Sequence, residues 1–241
     1  MISSMRVIVL VASLTFTVLP TRSQELILGW EGDPRRGYGF VSPVGALRDS
    51  DTTHMLLIFR GSLNYLYYSV PEDGGTTRVV SPAFSAGAGW RFVWPGFSMT
   101  LSSDFEVRRT ERTSSGGEPV LVIERGFLIQ GNVFCNVAAF TNVHLLASYG
   151  AANQYLWTRF GMKQQVTNTS FVDPLALALG IELTAQGNRD VHSYSAGGFM
   201  EFMFLDIGAS LQVRSGYSLL QNQGRIFDRA LFVGAGVYVG L

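Results

Sequence analysis

The feature that most constrains this chain is a hydrophobic pattern of period two in a sequence that is otherwise short of long apolar runs. From Phe97 to Arg109 the positions Phe97, Met99, Leu101, Phe105 and Val107 are apolar, and Ser98, Thr100, Ser102, Asp104, Glu106 and Arg108 lie between them. Leu205, Ile207, Ala209, Leu211 and Val213 alternate in the same way with Asp206, Gly208, Ser210, Gln212 and Arg214. Met55, Leu57, Phe59, Leu63, Tyr65 and Tyr67 oppose Arg60, Ser62 and Asn64, and Leu175, Leu177, Leu179, Ile181 and Leu183 oppose Ala176, Ala178, Gly180, Glu182 and Thr184. A helix would scatter these polar groups around its circumference, whereas a strand sends every second side chain to the same face.

Composition says where such strands belong. Hydrophobic residues make up 47% of the 241 and charged residues only 15%, and Lys163 is the single lysine among 18 basic groups balanced by 18 acidic ones. A water-facing domain usually carries about 25% charge. Twelve per cent aromatics and 27 glycines exclude a disordered chain, one cysteine excludes a disulfide scaffold, and the charge balance excludes a nucleic-acid binder. Beyond residue 24 no apolar run reaches the ~20 residues of a spanning helix, so membrane insertion has to use strands that satisfy one another's backbone groups.

The N-terminus reads as a secretory signal peptide over residues 1–23. Arg6 precedes an apolar stretch from Val7 to Pro20, and Thr21-Arg22-Ser23 places small residues where a signal peptidase cuts. The remaining 24–241 forms one domain, from which cleavage would have removed Arg6 and Arg22, leaving a slight acidic excess. The pattern predicts twelve strands, at 26–31, 36–47, 54–70, 77–93, 96–109, 125–139, 142–150, 154–167, 174–187, 191–204, 205–214 and 230–241. Tight connections at Trp94-Pro95-Gly96, Phe140-Thr141 and Leu205-Asp206 alternate with longer, polar, Gly-rich ones at 71–76, 110–124 and 215–229. Short turns on one side and long loops on the other belong to an all-β, antiparallel, up-and-down transmembrane barrel in the bacterial outer membrane. The last strand, Leu231, Val233, Ala235, Val237, Val239 and Leu241 against Phe232, Gly234, Gly236, Tyr238 and Gly240, adds an apolar face that ends at the carboxyl terminus.

The order of several short motifs resembles the BcsS family of cellulose-biosynthesis proteins. They are Gly29-Trp30-Glu31, Gly37-Tyr38-Gly39-Phe40-Val41 running to Gly45-Ala46-Leu47, and Arg60-Gly61-Ser62-Leu63-Asn64-Tyr65. Further along come Ser148-Tyr149-Gly150-Ala151-Ala152-Asn153-Gln154-Tyr155-Leu156-Trp157-Thr158-Arg159, Gly187-Asn188-Arg189-Asp190, Ala196-Gly197-Gly198-Phe199 and Gly234-Ala235-Gly236. The resemblance implies an outer-membrane protein accessory to cellulose or exopolysaccharide biosynthesis or export, with outer-membrane lipid, a glucan and components of the cellulose-synthase complex as partners. It brings no catalytic residues. A small-solute porin or an opacity-like barrel is the alternative, and a lipid- or glycan-modifying barrel enzyme a more remote one.

The residues themselves offer little chemistry. His144 and Ser148 share a strand face but are too far apart to pair, and His192 is out of phase with Ser193 and Ser195. One Cys and three scattered His give no metal spacing, and no phosphate-binding loop precedes a helix, so no cofactor is expected. Cys135 falls on the lipid face. The charges assigned to the lumen are Arg60, Arg91, Asp104, Glu106, Arg108, Glu182, Glu201 and Arg214, with Asp206 beside them, where carboxylates and guanidiniums can neutralise one another. Tyr65, Tyr67, Trp90, Phe92, Tyr155 and Trp157 are read as interfacial rings, and Tyr38, Tyr68 and Trp30 as an alternative sugar-stacking track. Loop 110–124 offers an extracellular contact surface. Twelve strands enclose a narrow bore that these charges would largely plug.

Overall fold

The computed structural model describes residues 23–48, 54–72, 75–167, 174–188, 191–222 and 225–240. The segment assigned to the signal peptide lies outside them apart from Ser23, and so does Leu241. Twelve strands follow one another: β1 (Ser23–Asp33), β2 (Arg36–Arg48), β3 (Met55–Glu72), β4 (Gly75–Trp94), β5 (Phe97–Thr113), β6 (Val120–Ala138), β7 (Thr141–Gly150), β8 (Tyr155–Gln165), β9 (Leu175–Gly187), β10 (Val191–Phe204), β11 (Ala209–Asn222) and β12 (Arg225–Gly240). Each pairs antiparallel with its neighbours in sequence, and β12 returns to β1, with Glu25 opposite Gly240 and Gly32 opposite Val233. Closure leaves no sheet edge, which a hydrocarbon environment requires because it offers unpaired backbone groups no partner.

Alternation decides which side of the wall each residue occupies. On β5, Ser102, Asp104, Glu106, Arg108 and Thr110 are buried in the interior, while Leu101, Phe105 and Val107 face outward and are about half exposed or a little less. The outer face of β5 stays free of charge from Phe97 to Val107 and then meets Arg109 and Glu111. Ten residues at ~3.3 Å each, tilted by ~40°, span about 25 Å, the height of the apolar band of an outer-membrane barrel. Outward rings mark both rims: Trp30, Tyr65, Tyr149, Tyr194 and Tyr217 towards one end, and Trp90, Trp94, Phe140 and Phe204 towards the end that carries the termini. Cys135 also points outward, opposite Phe97.

Several expectations need correction. The polar segments read as long loops are largely strand: β5 and β6 leave only 114–119 between them, β3 and β4 leave 73–74, and β11 and β12 leave 223–224. Beyond the lipid both faces of a strand meet polar surroundings, so alternation fades while pairing continues, as where Arg112 lies opposite both Val79 and Val120. The longer connections, 49–54 and 166–174, lie at the end carrying the termini, so loop length does not separate the two sides as expected. Residues 205–208 form a turn with Gly208 at φ 60°, β11 begins at Ala209, and Asp206 is exposed in that turn instead of facing the lumen. Tyr155 and Trp157 point inward, in phase with Arg159 and Lys163, and are not interfacial. The walls are uneven: β3 to β6 run 17 to 20 residues, β7 and β8 only 10 and 11.

Candidate functional site

Ionic groups inside the lumen pair with one another, while both Glu182 oxygens, Asp104 Oδ1 and the Nε atoms of Arg60 and Arg214 have no hydrogen-bond partner among the described residues. Arg60 Nε lies 3.2 Å from Asp104 Oδ2, and Arg108 donates to both oxygens of Glu106 at 3.1 and 3.2 Å. Arg91 donates to both oxygens of Glu25, and Lys163 Nζ lies 2.5 Å from Glu201. Arg214 donates to Glu31 at 3.4 Å and faces Glu182 at 3.7 Å, while Arg159 donates to Glu31 and stands 3.8 Å from Glu182. All eight lumen charges assigned from sequence thus stand in pairs, completed by Glu25, Glu31, Arg159 and Lys163. Those four lie on strands whose alternation is masked by aromatics and glycines on both faces, and only the phase of β8, with Arg159 and Lys163 two steps apart, signalled any of them.

One of these contacts crosses the bore. Arg159 on β8 and Glu31 on β1 stand five places apart around the ring of strands, so their bond ties nearly opposite walls. Arg36 on β2 makes a second bridge: its Nε donates to Asp33 at 2.7 Å, and its outer nitrogens donate to Ser218 on β11 at 2.6 Å and to Ser193 on β10 at 3.3 Å. Two glycines make room. A Cβ on Gly234 would meet the Trp30 carbonyl oxygen at 2.7 Å and Arg214 Cγ at 2.9 Å, and one on Gly87 would overlap the Ser103 carbonyl oxygen and meet the Asp104 carboxylate at 2.5 Å. Buried pairs of this kind add little net stability against an apolar core, but removing one partner strands the other and costs several kcal/mol.

Below the Arg159–Glu31 layer, on the side of the termini, one sector of the wall on β1 to β3 turns apolar beside the Arg91–Glu25 pair. Val44, Ala46 and Ile58 are buried there with Ile27 and Leu56 against them. Porin lumens are polar, so this apolar patch was not legible from a rule that sends polar residues inward. Above the layer, at the opposite end, lies a cavity of about 350 Å³. A second, of about 200 Å³, lies deeper, and Tyr38 and Tyr155 line both. Tyr38 donates its hydroxyl to Asn64 at 2.8 Å and Tyr155 donates to Gln186 at 2.9 Å, which fixes both rings between the two spaces. Of the proposed stacking track, Tyr38 and Tyr68 line the outer cavity and Trp30 faces away from the lumen.

His144 packs over Gly161 and against the Phe199 ring, with centroids 6.2 Å apart. Ser148 lines the deeper cavity, and His192 pairs in register with Gly187 and Gln221. Among the described residues no three His, Cys, Asp or Glu side chains come together as metal ligands would. In the segment read as a contact loop, Arg108 is buried on Glu106, Arg109 lies 4.0 Å from Glu111 on the outer surface, and Glu118 sits in the short connection.

Solved structures share this architecture at identities too low to carry more than fold. An outer membrane channel from Pseudomonas putida F1 superposes with a TM-score of 0.58 at 10% identity, covering 93% of this chain and 97% of that one. The beta domain of the Bordetella autotransporter BrkA gives 0.54 at 10% identity, covering 90% and 98%. LpxR from Salmonella typhimurium gives 0.51 at 11%, covering 89% and 99%. No curated protein matches the sequence. The closed twelve-strand wall, the lipid-facing band and these likenesses place the protein in the bacterial outer membrane. The family model described as cellulose biosynthesis protein BcsS matches residues 39–241, nearly the whole barrel, and the chain belongs to that family.

Proposed function

We propose that the protein is a non-catalytic outer-membrane accessory of cellulose production whose barrel is sealed, so that glucan leaving the cell does not thread its lumen. The observation that carries this reading is the bond from Arg159 to Glu31 across the bore, reinforced by Arg214 and by the Arg36 bridge above it. A glucan chain needs a continuous path wider than a single pyranose. Here guanidinium and carboxylate groups occupy that path. The charged groups inside stand in ion pairs instead of being arranged as a nucleophile with its base, which supports a role without catalysis. Contacts with a glucan or with components of the cellulose-synthase complex then belong to the rim and the outer surface.

Deletion of the gene tests this reading. Extracellular cellulose should fall, uptake of small solutes should stay unchanged, and supplying the intact chain should restore the polymer. Normal cellulose together with reduced uptake of small solutes would favour the porin alternative.

A further inference from the structure

We infer that the outer cavity is a blind pocket for the end of a neutral, hydroxyl-rich glycan, of the class of a β-glucan chain. The inference rests on the proposed role in cellulose production and adds a binding site to it. Four features of the cavity point to this ligand class.

The first is shape. The cavity opens at the end away from the termini and is closed beneath by Tyr38, Tyr155 and the ionic layer. At about 350 Å³ it falls at the small end of the ~300–1,000 Å³ usual for small-molecule sites. A chain end or short segment fits, and passage is barred. The second is the pair of tyrosine rings, which are held by Asn64 and Gln186 and so pay little ordering entropy on binding. A pyranose presents apolar C–H faces to such rings and hydroxyls around its edge.

The third is charge. Arg36 is bonded to Asp33, Ser193 and Ser218, and Glu124 accepts from Thr110 at 3.1 Å. An anionic ligand would therefore find three lining carboxylates, Glu31, Asp33 and Glu124, against two guanidiniums, Arg36 already engaged and Arg112 exposed at the rim. A neutral ligand meets serine hydroxyls and amide groups that can both donate and accept. The fourth is Gln154, which reaches the cavity from a turn at φ 53°, a conformation that glycine adopts far more cheaply. The Gln154 amide is placed to contact a ligand.

The test is isothermal titration of the full-length folded barrel in detergent micelles with cellohexaose, and with an oligogalacturonide of the same length as the anionic comparison. Ser195→Trp fills the cavity from β10, and Gln154→Gly removes the amide while easing the backbone. Folding of each variant is checked by its heat-modifiable gel mobility. Cellohexaose should bind the parent protein, at least ~10-fold more weakly to folded Ser195→Trp, and ~5-fold more weakly to Gln154→Gly without loss of thermal stability. Undetectable binding to the parent at millimolar cellohexaose, unchanged affinity in folded Ser195→Trp, or tighter binding of the oligogalacturonide would each overturn the inference. Should Ser195→Trp not fold, Gln154→Gly decides: unchanged affinity there overturns the inference. None of these results bears on the sealed lumen, which is read separately by conductance and by cellulose output in the deletion strain.

Discussion

A lysine placed at one depth on opposite faces of the wall should show which face meets lipid. Leu101 on β5 is 52% exposed on the outer face and lies opposite Gly131 on β6, and the next residue, Asn132, opens into the lumen. Leu101 is four residues from Phe97 and six from Val107, within one residue of the middle of the apolar outer band. Leu101→Lys therefore buries an ammonium near the midplane and should cost about 2 to 4 kcal/mol, whereas a lumenal lysine should cost no more than about 1 kcal/mol. That corresponds to roughly 30-fold to 1,000-fold in the folding equilibrium for Leu101→Lys. Lysine at 102, also on the lumen face, would be a poorer control because Ser102 is only 3% exposed and packs close to Gly89. Urea titration of folding into lipid vesicles, read by heat-modifiable mobility, measures both variants. An Asn132→Lys loss equal to or larger than that of Leu101→Lys would refute the assignment of faces.

Three further outcomes follow from the lumen and its ends. Lys163→Met should cost about 3 to 5 kcal/mol by stranding Glu201, and Lys163→Met with Glu201→Gln should recover much of it in the same urea titration; equal losses would show that the pair is not coupled. Gly234→Val should crowd the Trp30 carbonyl oxygen, Arg214 and Glu31 together, cost about 1 to 3 kcal/mol through overpacking, and raise ion leakage through reconstituted barrels, whereas unchanged stability and leakage would contradict the role given to that glycine. With the termini in the periplasm, a membrane-impermeant maleimide should label Gly117→Cys in intact cells and leave Asp206→Cys untouched, both in a Cys135→Ala background; the opposite pattern would invert the barrel.

The barrel was legible because lipid on one side and a polar lumen on the other impose a two-residue period, which β5 displays from Phe97 to Arg108 with Ser103 as the one polar residue on its outer face. Legibility failed where that contrast disappears. At the rim away from the termini, Arg109 to Thr113 and Val120 to Glu124 continue as paired strand although alternation of environment no longer marks them. Inside, Val44, Ala46 and Ile58 form an apolar patch, so β2 and β3 carry hydrophobic residues on both faces. Tyr155 and Trp157 show the converse: amphipathic rings suit a membrane interface, but the phase set by Arg159 and Lys163 turns them inward. The bond between Arg159 and Glu31 depends on strand number and stagger, since it joins residues 128 positions apart, and periodicity holds no information about such a pairing.

The sealed lumen is the central claim, and single-channel recording in planar bilayers tests it most directly. The purified parent barrel should give no large, stable conductance steps, while Arg159→Ala with Arg214→Ala, which removes both guanidiniums that meet Glu31 and Glu182, should produce discrete openings. Large and stable openings from the parent protein, unchanged by the double substitution, would contradict the account and indicate a conducting channel.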